Sequence, residues 1–140
     1  MSAQENKDVV RRFNIEVIQN GSAEAFGALM APDFINHAAP PGRPNGPESM
    51  WTTFETVLRP ALSNLEVTIH DQIAEGDKVT TRKTISGVHS GDLLGVPATG
   101  RQVAIDVIDI VRVQDGKYGE HWGLNTLSAV LAALKANRSA

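Results

Sequence analysis

The chain has 140 residues, no cysteine and a formal net charge of −3, with both signs scattered along it. That length is the size of one domain able to bury a core without staples. The missing cysteines exclude disulfides, a thiolate nucleophile and a zinc–thiolate site, and the missing basic stripe argues against nucleic acid. No apolar run approaches the roughly 18 residues that span a bilayer, and polar Met1 to Lys7 lacks the apolar segment of a secretion signal. No membrane contact is expected, and a cytoplasmic location is.

Ser2 and Glu5 have the spacing of a capping box. Behind them Val9, Val10, Phe13 and Val17 recur at helical spacing and predict an amphipathic helix over 3–19. Gly21 stops it. Ser22 can cap a second short helix with Phe26, Leu29 and Met30 on one face, which Pro32 forbids from continuing. Residues 38–47 carry four prolines and two glycines and predict a loop. Pro47 suits the first turn of a third helix whose apolar stripe is Trp51, Phe54 and Leu58, and Pro60 ends or kinks it.

From Leu65 the period changes to two, as in a half-buried strand. Glu75-Gly76-Asp77 turns the chain into a second strand, Val79 to His89, rich in β-branched residues. Gly91 to Gly100 predicts a loop. Gln102 to Val113 is the clearest strand, with Val103, Ile105, Val107, Asp109, Val111 and Val113 on one parity. Asp115-Gly116 turns it back into Lys117 to Leu124, and Leu127, Val130, Leu131 and Leu134 predict a terminal helix. Helices followed by strands imply an α+β fold, one domain over 1–140, with three N-terminal helices covering one face of a curved antiparallel sheet.

Asp109 stands out as an acid in a core position. Burying an ionised carboxylate without partners is costly, so it needs a reason. A three-residue turn, Gln114-Asp115-Gly116, pairs Val113 with Lys117 and sets Asp109 opposite His121, with Cβ atoms roughly 5 Å apart. A two-residue turn instead sets Asp109 opposite Trp122 and turns His121 to the other face. The three-residue turn is favoured because it joins the two polar groups as a proton-transfer pair. If Asp109 is catalytic, Asp109→Asn should hold or raise stability while turnover collapses; if it only ties two strands together, stability should fall.

Other candidates are weaker. Asn36 and His37 lie just before the Pro-rich loop, where a short strand can point one of them at a pocket. Trp51, Phe54 and Phe13 can wall a substrate or simply form core. His89 sits near a strand end within reach of a ligand, and His70 has outward parity. Arg112 and Glu120 should pair on the reverse of the sheet, which Asp106 shares. The four histidines are too scattered for a metal site, so none is expected, and no Gly-rich loop follows a strand and opens a helix.

Several pieces, in order, resemble one family. They are Val10-Arg11-Arg12-Phe13, Ala31-Pro32-Asp33-Phe34-Ile35-Asn36-His37, Ala74-Glu75-Gly76-Asp77-Lys78-Val79 and Gly95-Val96-Pro97-Ala98-Thr99-Gly100-Arg101. Ile108-Asp109-Ile110, Asp115-Gly116-Lys117 and Glu120-His121-Trp122 complete the set. Together they are similar to the SnoaL-like polyketide (ester) cyclases. The resemblance implies a cone-shaped α+β barrel of the nuclear-transport-factor and ketosteroid-isomerase kind, usually a homodimer, acting without a cofactor. In its cyclases a carboxylate removes a proton beside a carbonyl, and the enolate closes a ring by aldol addition. Their base is an Asp two residues after the His that matches His121. Here that position is Gly123, whereas Asp109 occupies a place that many relatives fill with Asp.

The expected function is therefore proton transfer on a small-to-medium hydrophobic carbonyl compound, with Asp109 as base and His121 as orienting group or acid. Relatives with the same Asp–His pair include cofactor-independent polyketide hydroxylases, so hydroxylation is the nearest alternative. A non-catalytic binding or dimerisation module is another. Epoxide hydrolysis needs a second carboxylate and an Arg in the pocket, and Arg112 has the wrong parity.

Overall fold

The computed structural model describes residues 2–138. The first helix, α1, runs Ala3–Arg12. The Ser2 hydroxyl accepts from the Glu5 N–H, and the Glu5 carboxylate accepts from the Ser2 N–H, both at 3.1 Å. The helix continues to residue 19, as its periodicity predicts, but Phe13–Gln19 is wound as a π-helix. The widening begins where the Asn14 amide donates to the Val10 carbonyl at 2.9 Å, and π-turns of this kind are often found at functional sites. Ser22 caps α2, Ala23–Leu29. Met30 does not close that helix as expected. It opens strand β1, Met30–Asn36, because the chain must be extended before Pro32.

After the loop, α3 is Pro47–Trp51, followed by a second π-segment, Thr52–Leu58, and the short turn α4, Arg59–Ala61. Four long strands follow: β2 (Leu62–Glu75), β3 (Lys78–His89), β4 (Gln102–Gln114) and β5 (Lys117–Asn125), then α5 (Leu127–Arg138). Strand β2 begins three residues before the expected Leu65. Asn64 has φ +55° and the pairing with β3 slips between Ser63 and Glu66, so this stretch carries no clean alternation.

The sheet order is β1-β5-β4-β3-β2. The expected α+β architecture with a curved sheet is present, and two particulars are added to it. The sheet is open, with β1 and β2 as its edges, and β1 runs parallel to β5. Strand β1 follows α2 directly in the chain and pairs with β5 at the edge opposite β2. One face packs on the helices through Phe13, Val17, Leu58, Val79, Ile105 and Val111, all buried. Phe13 stacks on Tyr118 with ring centroids 4.2 Å apart. Among the described residues, no helix is long and apolar enough to cross a membrane.

The β4–β5 hairpin departs most from expectation. Gln114 pairs with Lys117, so the turn has two residues, Asp115 and Gly116, both at positive φ (53° and 75°). This is the type I′ geometry that Asp-Gly favours. Unrelieved, it would turn His121 away from Asp109. Pairing slips between Arg112 and Val113, however: Val113 faces Tyr118 while Arg112 faces Glu120. Gly119 is the extra residue, and a Cβ there would lie 2.7 Å from the Arg112 guanidinium. From the bulge onward Val111 opposes His121 and Asp109 opposes Gly123. The parity lost in the turn is restored by the bulge, and His121 returns to the face of Asp109.

Candidate active site

Asp109 is 5 % exposed on β4. Its Oδ2 accepts from Lys83 Nζ at 3.3 Å and lies 3.2 Å from His121 Nε2, while its buried Oδ1 has no partner among the described residues. Lys83 comes from β3, where it shares the inward parity of Val79, Thr81 and Ile85. Its ammonium also donates to Asn14 Oδ1 at 2.6 Å. Asn14 is held by its bond to Val10, so the π-turn of the first helix positions the cation.

The parallel pairing of β1 with β5 sets Asn36 beside His121. Asn36 Oδ1 accepts from the Ala38 N–H at 3.0 Å, which fixes the orientation of its amide, and lies 2.9 Å from His121 Nδ1. His121 Nδ1 therefore carries a hydrogen. The Nε2 of the same ring faces Asp109 Oδ2 at 3.2 Å. Asn36 is braced in turn: its Nδ2 donates to Ser49 Oγ at 3.2 Å, and Ser49 donates to the Gly46 carbonyl at 2.6 Å. Support of this depth fixes the orientation of the imidazole.

The cluster lies in a cavity of about 730 Å³ between the sheet, α3 with its π-segment and the Pro-rich loop. The walls are apolar: Met50, Phe54, Val57 and Leu58 from the helices, Ile85, Ile105 and Val107 from the strands, and Pro40 and Pro44 from the loop. Asp109, His121, Asn36 and Lys83 supply polar groups within it. An apolar chamber with a few convergent polar groups is the usual form of a small-molecule site.

Of the residues singled out in the sequence, Asp109, His121, Asn36 and Phe54 line this cavity. Four others lie elsewhere. Asn36, the last residue of β1, points inward and the residue that follows it points out: His37 contacts Glu120 at 2.8 Å and stacks on Trp122 at 4.9 Å, on the reverse of the sheet. Trp51 packs against Phe26, 5.0 Å between rings, behind the cavity wall. Phe13 is core beneath Tyr118. His89 is fully buried between Thr99 Oγ1 and the Val96 carbonyl, and ties down the 91–100 loop. The expected Arg112–Glu120 pair is present at 2.6 Å, with His70 exposed on the same reverse face. Lys83, Asn14 and Ser49 were missed. Lys83 stands in a row of inward β-branched residues, a fainter form of the signal that exposed Asp109.

Burial pushes the Asp109 carboxyl up more than any other single effect. The Lys83 ammonium, and the hydrogen bond and charge of His121, together outweigh it and hold the group below its ordinary 3.8. Tyr118 is driven the other way, well above its ordinary range, by burial and by the charge of Asp109. The Asp109 carboxylate is thus ionised across the neutral range. A carboxyl with a depressed folded pKa contributes stability that is present above the unfolded pKa and is lost as pH falls through the folded one. Melting curves taken from neutrality into acid should show this contribution intact until the pH drops below about 4. A variant lacking both Asp109 and Lys83 should show no such step.

Among the described residues, no three His, Asp or Glu side chains converge as a metal site. Comparison with known proteins agrees with the architecture. Residues 8–134 match the family model for SnoaL-like polyketide cyclases. The chain is 30% identical over 119 residues to the aklanonic acid methyl ester cyclases DnrD of Streptomyces peucetius and DauD of Streptomyces sp. (strain C5). The match covers 81% of this chain, 79% of DnrD and 71% of DauD. The solved structure of TsrD from Streptomyces laurentii superposes with a TM-score of 0.83 at 25% identity, covering 96% of this chain and 97% of TsrD. This chain belongs to the SnoaL-like polyketide cyclase family.

Proposed function

We propose that the protein is a cofactor-independent enzyme of the cyclase type that acts on a hydrophobic carbonyl compound by proton transfer. The observation that carries this reading is the free Oδ1 of Asp109, buried on a carboxylate that lines an apolar cavity beside an imidazole of fixed orientation. Asp109 takes the proton from a carbon next to a carbonyl. The resulting enolate attacks a second carbonyl carbon of the same molecule, forming the ring C–C bond, and the new alkoxide takes the proton carried by the Asp109–His121 pair. The cavity volume suits a body of a few fused rings. The names of the cyclase relatives suggest a polyketide methyl ester as the first compound to try.

The test is to incubate the protein in D2O with aklanonic acid methyl ester and with a simpler hydrophobic β-keto ester. Exchange of the acidic C–H for deuterium is followed by NMR and ring closure by mass. Both should occur with the wild type, and Asp109→Asn should slow them by about 10²- to 10⁴-fold. Exchange that is equally fast without Asp109 would rule out its role as base. Dioxygen uptake in place of ring closure would point to the hydroxylase alternative, and tight binding without exchange to a carrier.

A further inference from the structure

Among the described residues Lys83 is the only buried lysine. An ammonium has three donors. One goes to Asn14 at 2.6 Å and one to Asp109 at the longer distance of 3.3 Å, which leaves the third without an acceptor among the described residues. Asn14 thus holds the cation near the carboxylate without pressing it into a tight ion pair. Lys83 lines the same cavity as Asp109 and His121. If it served only to neutralise Asp109, neither the stand-off nor the spare donor would be needed.

We propose that Lys83 is a catalytic residue whose free N–H binds the substrate carbonyl oxygen and holds the enolate once Asp109 has taken the proton. This rests on the reading of Asp109 as base. In the step the C–H bond breaks and its electron pair forms the enolate C=C bond. The carbonyl π pair moves to oxygen, and the proton goes to Asp109. One negative charge leaves the carboxylate and one appears on the substrate oxygen, both within reach of the same ammonium. The charge moves around a fixed cation, so no solvent has to reorganise, which is the condition under which buried donors accelerate reactions most. The titratable groups facing Lys83 and Asp109 are His121 from β5 and, through the charge of Asp109, Tyr118. Asn14 from the first helix is neutral.

Two measurements test this. The first uses 4-nitrophenol as a stand-in for the enolate, its ionised form being visible by absorbance. Asp109→Asn should bind the phenolate at least tenfold more tightly than Asp109→Asn/Lys83→Met, in which no buried charge remains. Equal affinity, or a neutral bound phenol in both, would overturn the proposal. The second is the deuterium-exchange pH profile of Lys83→Met. Loss of the cation moves the acid limb to higher pH whatever its role. Enolate binding also requires the plateau rate to fall about 10²- to 10³-fold with KM little changed. An unchanged plateau would reduce Lys83 to a counter-charge. The measurements are independent, so one decides the matter if a variant of the other fails to fold. If Asp109→Asn keeps full exchange, the base reading fails, while the dye comparison still judges the donor.

Discussion

Asp109→Asn is expected to lower stability by about 3–5 kcal/mol as well as abolish turnover, and adding Lys83→Met is expected to restore most of the stability and none of the activity. The first effect follows from the ammonium. Lys83 is 3 % exposed and its nearest anion is Asp109. Removing one partner of a buried ion pair leaves the other charge uncompensated, whereas replacing both by neutral groups is often harmless. Urea melts of wild type, the two single variants and the double variant measure it as a cycle. A double variant no more stable than Asp109→Asn would show that the two charges are not coupled. The Lys83 contact also changes the expectation that a catalytic Asp109 is recognised by unchanged or raised stability on mutation to Asn. That expectation assumed a carboxylate surrounded only by apolar groups and one imidazole. With an ammonium 3.3 Å away, stability falls whether or not the residue is catalytic, and only turnover separates the two.

The second large effect is expected at Gly123. A Cβ there would lie 3.1 Å from His121 Cε1, 3.2 Å from Nε2 and 3.3 Å from Asp109 Cβ. The imidazole lies across the bare backbone of this glycine to reach Asp109. Gly123→Ala should displace the ring by a few tenths of an ångström and lower turnover about tenfold, up to 10²-fold if the contact between His121 and Asp109 is lost. Gly123→Asp is more disruptive. It sets a second carboxylate directly across the strand pair from Asp109. Two carboxyl groups so close cannot both ionise readily, so one pKa rises. The acid limb of the rate profile should therefore move to higher pH while the plateau falls. Position 123 is where the resemblance places the base of the aldol cyclases. A Gly123→Asp protein faster than wild type at neutral pH would show that the pocket accepts that arrangement. The geometry predicts instead that a residue-123 carboxylate and the Asp109–His121 contact exclude one another.

Much of this architecture was legible because its signals are local. The capping box, the helical spacing of Val10, Phe13 and Val17, and the alternation through β4 each depend on a few neighbouring residues. The open sheet and the parallel β1 were not legible, because they depend on where α2 delivers a short strand whose partner, β5, lies far along the chain. The site was half legible. Asp109 showed itself as the odd member of an apolar row, yet Lys83 in the neighbouring row was passed over: a long aliphatic stem beside threonines does not break a strand pattern as an aspartate does. The contact between Asp109 and His121 was expected on a turn length that the structure replaces. A bulge of one residue undoes a turn shorter by one, and the sequence shows such compensation only as a glycine, Gly119, with no other mark.

That glycine absorbs the mismatch between the short turn and the strand beyond it. Removing Gly119 alone would close the bulge into regular pairing, Val113 with Tyr118 and Arg112 with Glu120, and would leave Val111 opposite His121. One residue added between Gly116 and Glu120 would instead set Trp122 opposite Asp109 and send His121 out beside His37. The segment from 113 to 121 can therefore lose this glycine but cannot gain a residue. Insertions compatible with activity belong to the 38–46 and 91–100 loops.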